Sequence, residues 1–290
     1  MSHFDIEAEL LMLGFQQMYV AWGKQAPPRA GLHASALLAK DAEWCLREHV
    51  LHELYPEQGE SREWNAWDWR TSAIFENGWD LHRRWQRVFL KHGNVVYSSV
   101  SPAFVQNNLQ HPMDFLEGRW CAAELDLTHY DETRHLYFSP DAIIEFGGVR
   151  YVVEIKGIKH EAYEMLTDDL EQACAANETV AKAREQVNLY LHLLMLERGI
   201  ILVENKSTQD FRLWVVEYER ERAWKYTNRL YEIQGRVMLV KAHGASKLPL
   251  RCCQTSNDAR ARQCPMRACC FAEKGENNDA HVSTSVESRG

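Results

Sequence analysis

No apolar run in this chain approaches the length of a membrane span, and no basic stretch followed by an apolar one stands near its N-terminus. The expectation is a soluble, cytoplasmic protein without a membrane partner. An excess of basic residues is missing too: the formal net charge is −8. An acidic chain does not gather nucleic acid by bulk attraction, so such a substrate would need a local basic groove and a bound cation. No clean set of cysteine pairs at the short spacing usual for zinc is present. No internal repeat is present, and without a secretory signal the eight cysteines do not read as a disulfide framework. What remains is an ordinary globular composition, 46% apolar and 26% charged over 290 residues, enough for one good core and a small appendage.

The most informative stretch runs from Ser139 to Gly157. Two apolar runs flank Gly147-Gly148, a dipeptide that favours a two-residue hairpin because both positions accept positive φ. With those glycines as the loop, Phe146 faces Val149 and, further out, Asp141 faces Glu154. Lys156 lies two residues on from Glu154 and shares its face. Two carboxylates directly opposed are destabilising without a cation, and a divalent ion with oxygen ligands is the natural one. An edge hairpin with a solvated charged face is the plainer alternative.

The remaining pattern predicts helices over 1–24, 34–51, 70–92, 160–176, 179–198 and 219–243. It predicts strands over 94–100, 119–127, 135–146, 149–157, 199–204 and 211–218. Residues 55–69 read as a loop whose Trp64, Trp67 and Trp69 either pack as a lid or stack on bases. This order suits an α+β fold, a mixed sheet flanked by helices. The expected organisation is an N-terminal helical region (1–69), a core (70–245), a cysteine-rich segment (246–275) and a disordered polar tail (276–290).

Three motifs in this order carry a resemblance. Pro140-Asp141 followed by Glu154-Ile155-Lys156 resembles the PD-(D/E)xK nuclease core. Gln186-Val-Asn-Leu-Tyr190 resembles the Gln-x-x-x-Tyr motif of the RecB-like branch, and Gly78-Trp-Asp-Leu-His82 its Gly-x-x-x-His motif. The resemblance implies a restriction-endonuclease-like core and a divalent-metal-dependent deoxyribonuclease. By family analogy it is an exonuclease, acting on single- or double-stranded DNA ends in recombination, end processing or CRISPR adaptation, with the proteins of those pathways as partners. The alternative is a non-catalytic DNA-binding or assembly module retaining the fold. Magnesium or manganese would be held by His82, Asp141, Glu154 and the Ile155 carbonyl. Lys156 would orient or deprotonate water, or hold the phosphate. Gln186 and Tyr190, four apart and so on one helical face, would border the site. Gly78 would admit a close approach to its helix, while Lys182 and Arg184 lie near enough in sequence to meet phosphate. Glu124 is a spare acidic candidate.

Five of the eight cysteines fall between Cys252 and Cys270, which favours metal ligation over packing. Some RecB-like nucleases carry one early cysteine and three late ones around a [4Fe-4S] cluster. The resemblance then implies Cys45, Cys253, Cys264 and Cys270 as ligands, with Cys252 and Cys269 as runners-up. The Cys264-to-Cys270 spacing matches that subgroup, and the ten residues between Cys253 and Cys264 are longer than its usual gap. A structural zinc is the rival. Cys121 and Cys174 read as packed thiols.

Overall fold

The structure is a computed structural model that describes residues 11–14, 16–17, 32–56, 69–91, 129–131 and 133–272. Trp64, Trp67, Cys121, Glu124, the strands expected at 94–100 and 119–127, and the tail 276–290 lie outside the described residues. Of the first expected helix, 11–14 and 16–17 are described and are helical.

Along the chain come α1 (Ala34–Leu37), α2 (Leu46–Leu54), α3 (Trp69–Lys91), β1 (His129–Asp131), β2 (Leu136–Phe138), β3 (Ala142–Phe146) and β4 (Val149–Ile158). There follow α4 (His160–Glu164), α5 (Leu170–Ala176), α6 (Glu178–Leu194), β5 (Arg198–Asn205), β6 (Phe211–Glu217) and α7 (Arg220–His243). Two short helices close the described chain, α8 (Ala259–Gln263) and α9 (Arg267–Phe271). The fold is mixed α+β. A four-stranded sheet has the order β3-β4-β5-β6, in which β4 and β5 are parallel and the other two pairs antiparallel. β1 and β2 form a separate antiparallel pair.

Gly147 and Gly148 both take left-handed backbone angles, φ +59° and +76°, and close a two-residue hairpin in which Phe146 pairs with Val149 and Ala142 with Val153. That register is the one the Gly-Gly turn dictates. The two faces of the sheet then divide by residue parity. Ala142, Ile144, Val153, Ile155, Ile200 and Leu202 pack against Leu81, Trp85 and Phe89 of α3. Ile143, Val152, Ile201, Val203, Trp214 and Val216 belong to the larger core shared with α6, behind which α7 packs on α2.

Three expected elements are broken, each for a physical reason. The strand expected over 135–146 is split at Ser139-Pro140-Asp141, because Pro140 brings no N–H to a ladder and the chain there passes from one sheet to the other. The helix expected over 34–51 is interrupted between Leu38 and Cys45. There the buried Arg229 guanidinium of α7 donates to the carbonyls of Leu37 and Ala39 (2.6 Å for Ala39), to the Asp41 carboxylate at 2.6 Å, and stacks on Trp44. The helix expected over 160–176 is two helices. Asp169 caps the second, its carboxylate accepting from Gln172 N at 2.8 Å.

α6 sits so close to the sheet that Gly199 of β5 has no room for a side chain. A Cβ there would stand 2.3 Å from Val187 Cγ1 and 3.2 Å from the Val152 carbonyl. Gly199→Ala is therefore expected to cost about 1–3 kcal/mol by overpacking. Gly235, within α7, has nothing within 4 Å of its would-be Cβ. Gly235→Ala is expected to raise the melting temperature through helix propensity, and thermal melts of the two variants should move in opposite directions.

Candidate active site

Asp141 immediately precedes β3 and shares the parity of Ile143; Glu154 and Lys156 share that of Val152. The three acid and amine side chains thus lie on the α6 face of the sheet, at the end of the hairpin away from its glycines. Asp141 is fixed through both its side chain and its main chain. Its Oδ2 accepts from Ile155 N at 2.6 Å, and its carbonyl accepts from Gln86 Nε2 of α3 at 2.9 Å. Glu154 has only 1% of its side chain exposed; its Oε1 accepts from Lys156 Nζ, while its Oε2 is buried with no hydrogen-bond partner among the described residues. His82 reaches the same point from α3, with Nε2 3.2 Å from the Ile155 carbonyl and Nδ1 3.5 Å from Asp141 Oδ1.

The sequence-predicted set is therefore brought together: an imidazole, two carboxylates, one main-chain carbonyl and an ammonium, delivered by α3, the 139–141 crossing and β4. Among the described residues no three His, Cys, Asp or Glu side chains stand in ligating arrangement as they are. The donor chemistry nevertheless fits a hard divalent cation, which takes carboxylate and carbonyl oxygens. The buried, unpartnered Glu154 Oε2 is the observation that asks for one, since such an oxygen costs free energy until something positive meets it.

Burial first, and then the Asp141 charge, push the Glu154 carboxyl up to about 7, with Lys156 and His82 pulling the other way. Burial draws the Lys156 ammonium down, but the Glu154 and Asp141 carboxylates outweigh it and leave its pKa raised. Lys156 is thus charged at neutral pH. A carboxyl raised above its ordinary value of 4.5 holds a proton in the folded chain that the unfolded chain has released. This contribution to stability is full below pH 4.5 and is lost as pH rises towards about 7. Metal-free protein should show that loss in its melting temperature across the window. Glu154→Gln should flatten it, and equal slopes for the two proteins would contradict the assignment.

Gln186 and Tyr190 act behind this constellation. Tyr190 is fully buried; its hydroxyl accepts from Gln186 Nε2 at 3.0 Å and donates to the Ser139 carbonyl at 3.2 Å. Burial, followed by the nearby Glu154 charge, raises the phenol well above its ordinary range, so it stays a donor. The pair fixes the main chain two residues before Asp141. His33 Nε2, 3.3 Å from Ser139 Oγ, adds a second hold on that crossing. Gln86 was not anticipated from sequence. Its only signal is its spacing, one turn after His82 on the same helix.

Two lesser expectations are corrected. Nothing lies within 4 Å of a Cβ built on Gly78, so no close approach at that glycine is seen among the described residues. Close approach occurs instead at Gly157, where a Cβ would meet Leu81 Cδ2 at 2.8 Å. Arg184 does not point to phosphate: it is buried between Glu171 (2.6 Å) and Glu219 (2.8 Å) and ties α5, α6 and α7 together.

The late cysteines fold back onto α2. Cys45, its N-cap residue, lines a small cavity with Cys252, Cys253, Cys264 and Cys270, whereas Cys269 is not among the lining. Cys252 Sγ lies 2.8 Å from Cys45 Sγ and 3.8 Å from Cys253 Sγ, so both members of that doublet reach the cavity. Arg47 donates through Nε to Cys270 Sγ at 3.2 Å and through Nη1 to the Pro249 carbonyl at 2.7 Å. Burial lifts the Cys45 thiol to about 11, and burial with the Glu48 charge lifts Cys264 to about 12. Without a cation these thiols keep their protons. Thiols from three segments thus gather around one void, with sulfur–sulfur distances of 2.8 and 3.8 Å that are no wider than the ligand spacing of a single ion, so the lining by itself suits zinc as well as an iron–sulfur cluster. Cys174 is half-buried against the main core, as expected of a packed thiol.

No protein-family model and no curated protein sequence matches the chain. The solved structure of SSO0001 aligns over 88% of this chain and 95% of that chain, at 14% identity and a TM-score of 0.40. No helix among the described residues is long and apolar enough to cross a membrane.

Proposed function

We propose that the chain is a divalent-metal-dependent DNA nuclease built on a PD-(D/E)xK core of the RecB-like kind, with exonuclease action preferred on the motif resemblance. The observation that carries this reading is the buried, unpartnered oxygen of Glu154 beside Asp141, the Ile155 carbonyl and Lys156. His82, Asp141, Glu154 and the Ile155 carbonyl would hold magnesium or manganese. When bound, such an ion supplies Lewis-acid polarisation of the phosphate and makes water acidic near neutral pH.

The chain's own groups do the rest. Lys156, charged and 26% exposed, presents its ammonium to a phosphate oxygen and to the attacking water. Glu154 surrenders its proton when a cation arrives, because a positive charge favours the carboxylate. Asp141, locked by Ile155 N and by Gln86, keeps Oδ1 turned to the site. Tyr190 and Gln186 are positioning residues that hold the Ser139 carbonyl. The cysteines would hold an iron–sulfur cluster with a structural role, zinc being the alternative. Recombination, DNA end processing and CRISPR adaptation are the settings such an enzyme serves.

The test is a cleavage assay on end-labelled single- and double-stranded DNA with Mg²⁺ or Mn²⁺. Products released from the labelled end support the reading. Intact DNA under every divalent ion, with tight binding retained, would favour the non-catalytic DNA-binding module instead.

A further inference from the structure

Between α2, the β1–β2 hairpin and α7 lies a second cavity of about 570 Å³, within the size range of small-ligand sites. One wall is apolar, with Leu230, Ile233 and Val237 from α7. The opposite wall carries the cross-strand pair Tyr130 and Tyr137, whose ring centroids lie 4.5 Å apart. Besides the two tyrosines, the charged and titratable groups of the lining are Glu53, Arg134, Lys241, His52 and His135, and Arg134 is paired with Asp131 at 2.5 Å. Glu53 is half-buried in the wall, and burial raises its carboxyl, against the pull of His52, the Leu32 main chain, His135 and Lys241. Lys241 is exposed at the mouth and forms no salt bridge among the described residues. His135 also lines the cavity and holds a left-handed backbone, φ +47°, with its ring 3.0 Å from the Tyr130 hydroxyl.

β2, which lends Tyr137 to the cavity, leads directly into the 139–141 crossing that carries Asp141. Tyr137 stands four residues before Asp141, so their Cα atoms are no more than about 14 Å apart. That span corresponds to roughly two to four nucleotides of a single strand. An aromatic wall, an apolar floor, an exposed lysine and one half-buried carboxylate match the parts of a nucleotide: ring, phosphate and amine.

We infer that this cavity receives one base of a single-stranded DNA segment, a base bearing an exocyclic amine, with its ring on Tyr137, its amine on Glu53 and a flanking phosphate on Lys241. The inference rests on the nuclease reading and adds to it a specificity pocket a few nucleotides from the scissile phosphate. A carboxylate accepts from the amine of cytosine or adenine and repels the carbonyl edge of thymine. Stacking on tyrosine supplies affinity for any base.

The test is fluorescence anisotropy with labelled oligothymidylate strands, in the Lys156→Ala background and with Mg²⁺, so that DNA binds without being cut. An abasic residue, and separately a single dC, is moved along the strand one position at a time. One position should be sensitive: the abasic residue there weakens binding about tenfold, and dC there binds better than dT. Glu53→Gln should erase the preference for dC, since an amide serves either base, and Lys241→Glu, a surface change, should weaken every strand. A flat abasic scan, or Glu53→Gln and Lys241→Glu proteins that bind like their Lys156→Ala parent, overturns the inference, while DNA cleavage by the wild-type chain leaves the nuclease reading standing. A wild-type chain that neither binds nor cuts DNA removes both together.

Discussion

Lys156→Ala is expected to slow DNA cleavage about 10³-fold, within the range that a positioned proton donor or acceptor supplies. Its Nζ meets Glu154 Oε1, and the remaining exposure of its side chain opens towards solvent, where a phosphate would arrive. The same change leaves both oxygens of a buried carboxylate without a partner, because Oε2 has none already among the described residues. Losing one member of a buried pair is costly, about 3–5 kcal/mol where it has been measured. Stability must therefore be followed beside activity. Lys156→Met combined with Glu154→Gln removes both charges and should melt higher than Lys156→Ala, yet remain inactive. Asp141→Asn is expected to be as inactive as Lys156→Ala, since it removes a ligand charge at a residue the main chain holds in place. Full cleavage by Lys156→Ala and by Asp141→Asn would refute the assignment.

The second large effect concerns the cysteines. Cys45 and Cys252 are 207 residues apart in sequence and their sulfurs are in contact. A cluster bound there closes a loop of that length, which in chain-entropy terms stabilises by about 5 kcal/mol. Protein purified without oxygen should be brown and contain iron and sulfide in equal amounts. Cys45→Ser and Cys264→Ser should each lose the colour and melt far lower, while Cys174→Ser keeps both colour and stability. Comparing Cys252→Ser with Cys253→Ser decides between two thiols that both reach the cavity. A colourless wild type carrying stoichiometric zinc would replace the cluster with the rival ion and leave the loop closure intact.

The hairpin was legible because a two-residue glycine loop leaves only one register, and register alone decides which residues share a face. That is why Asp141, Glu154 and Lys156 were placed together from sequence. α3 was legible to within a residue at each end, because its apolar spacing is long and uninterrupted. The breaks at 38–45 and 139–141 were not. The first depends on Arg229, some two hundred residues away, taking the carbonyls that a continuing helix would have used. The second lies inside a run whose alternation reads straight through, and only Pro140 marks it. The roles of Gln186 and Tyr190 were half legible. Their spacing gave one helical face, but only the packing shows that Tyr190 is buried and grips Ser139. Gln86 and the cavity beside Tyr137 depend on contacts between distant segments, which no local pattern carries.

Asp141, Glu154 and the Ile155 carbonyl are proposed jointly to hold a divalent ion beside Lys156. The most direct measurement is anomalous diffraction from crystals soaked in Mn²⁺, for the wild type and for Glu154→Gln. A manganese peak within ligating distance of those three oxygens, lost or greatly weakened in Glu154→Gln, is the predicted result. A wild-type protein that cuts DNA in Mn²⁺ while its manganese peak stands elsewhere would contradict the account.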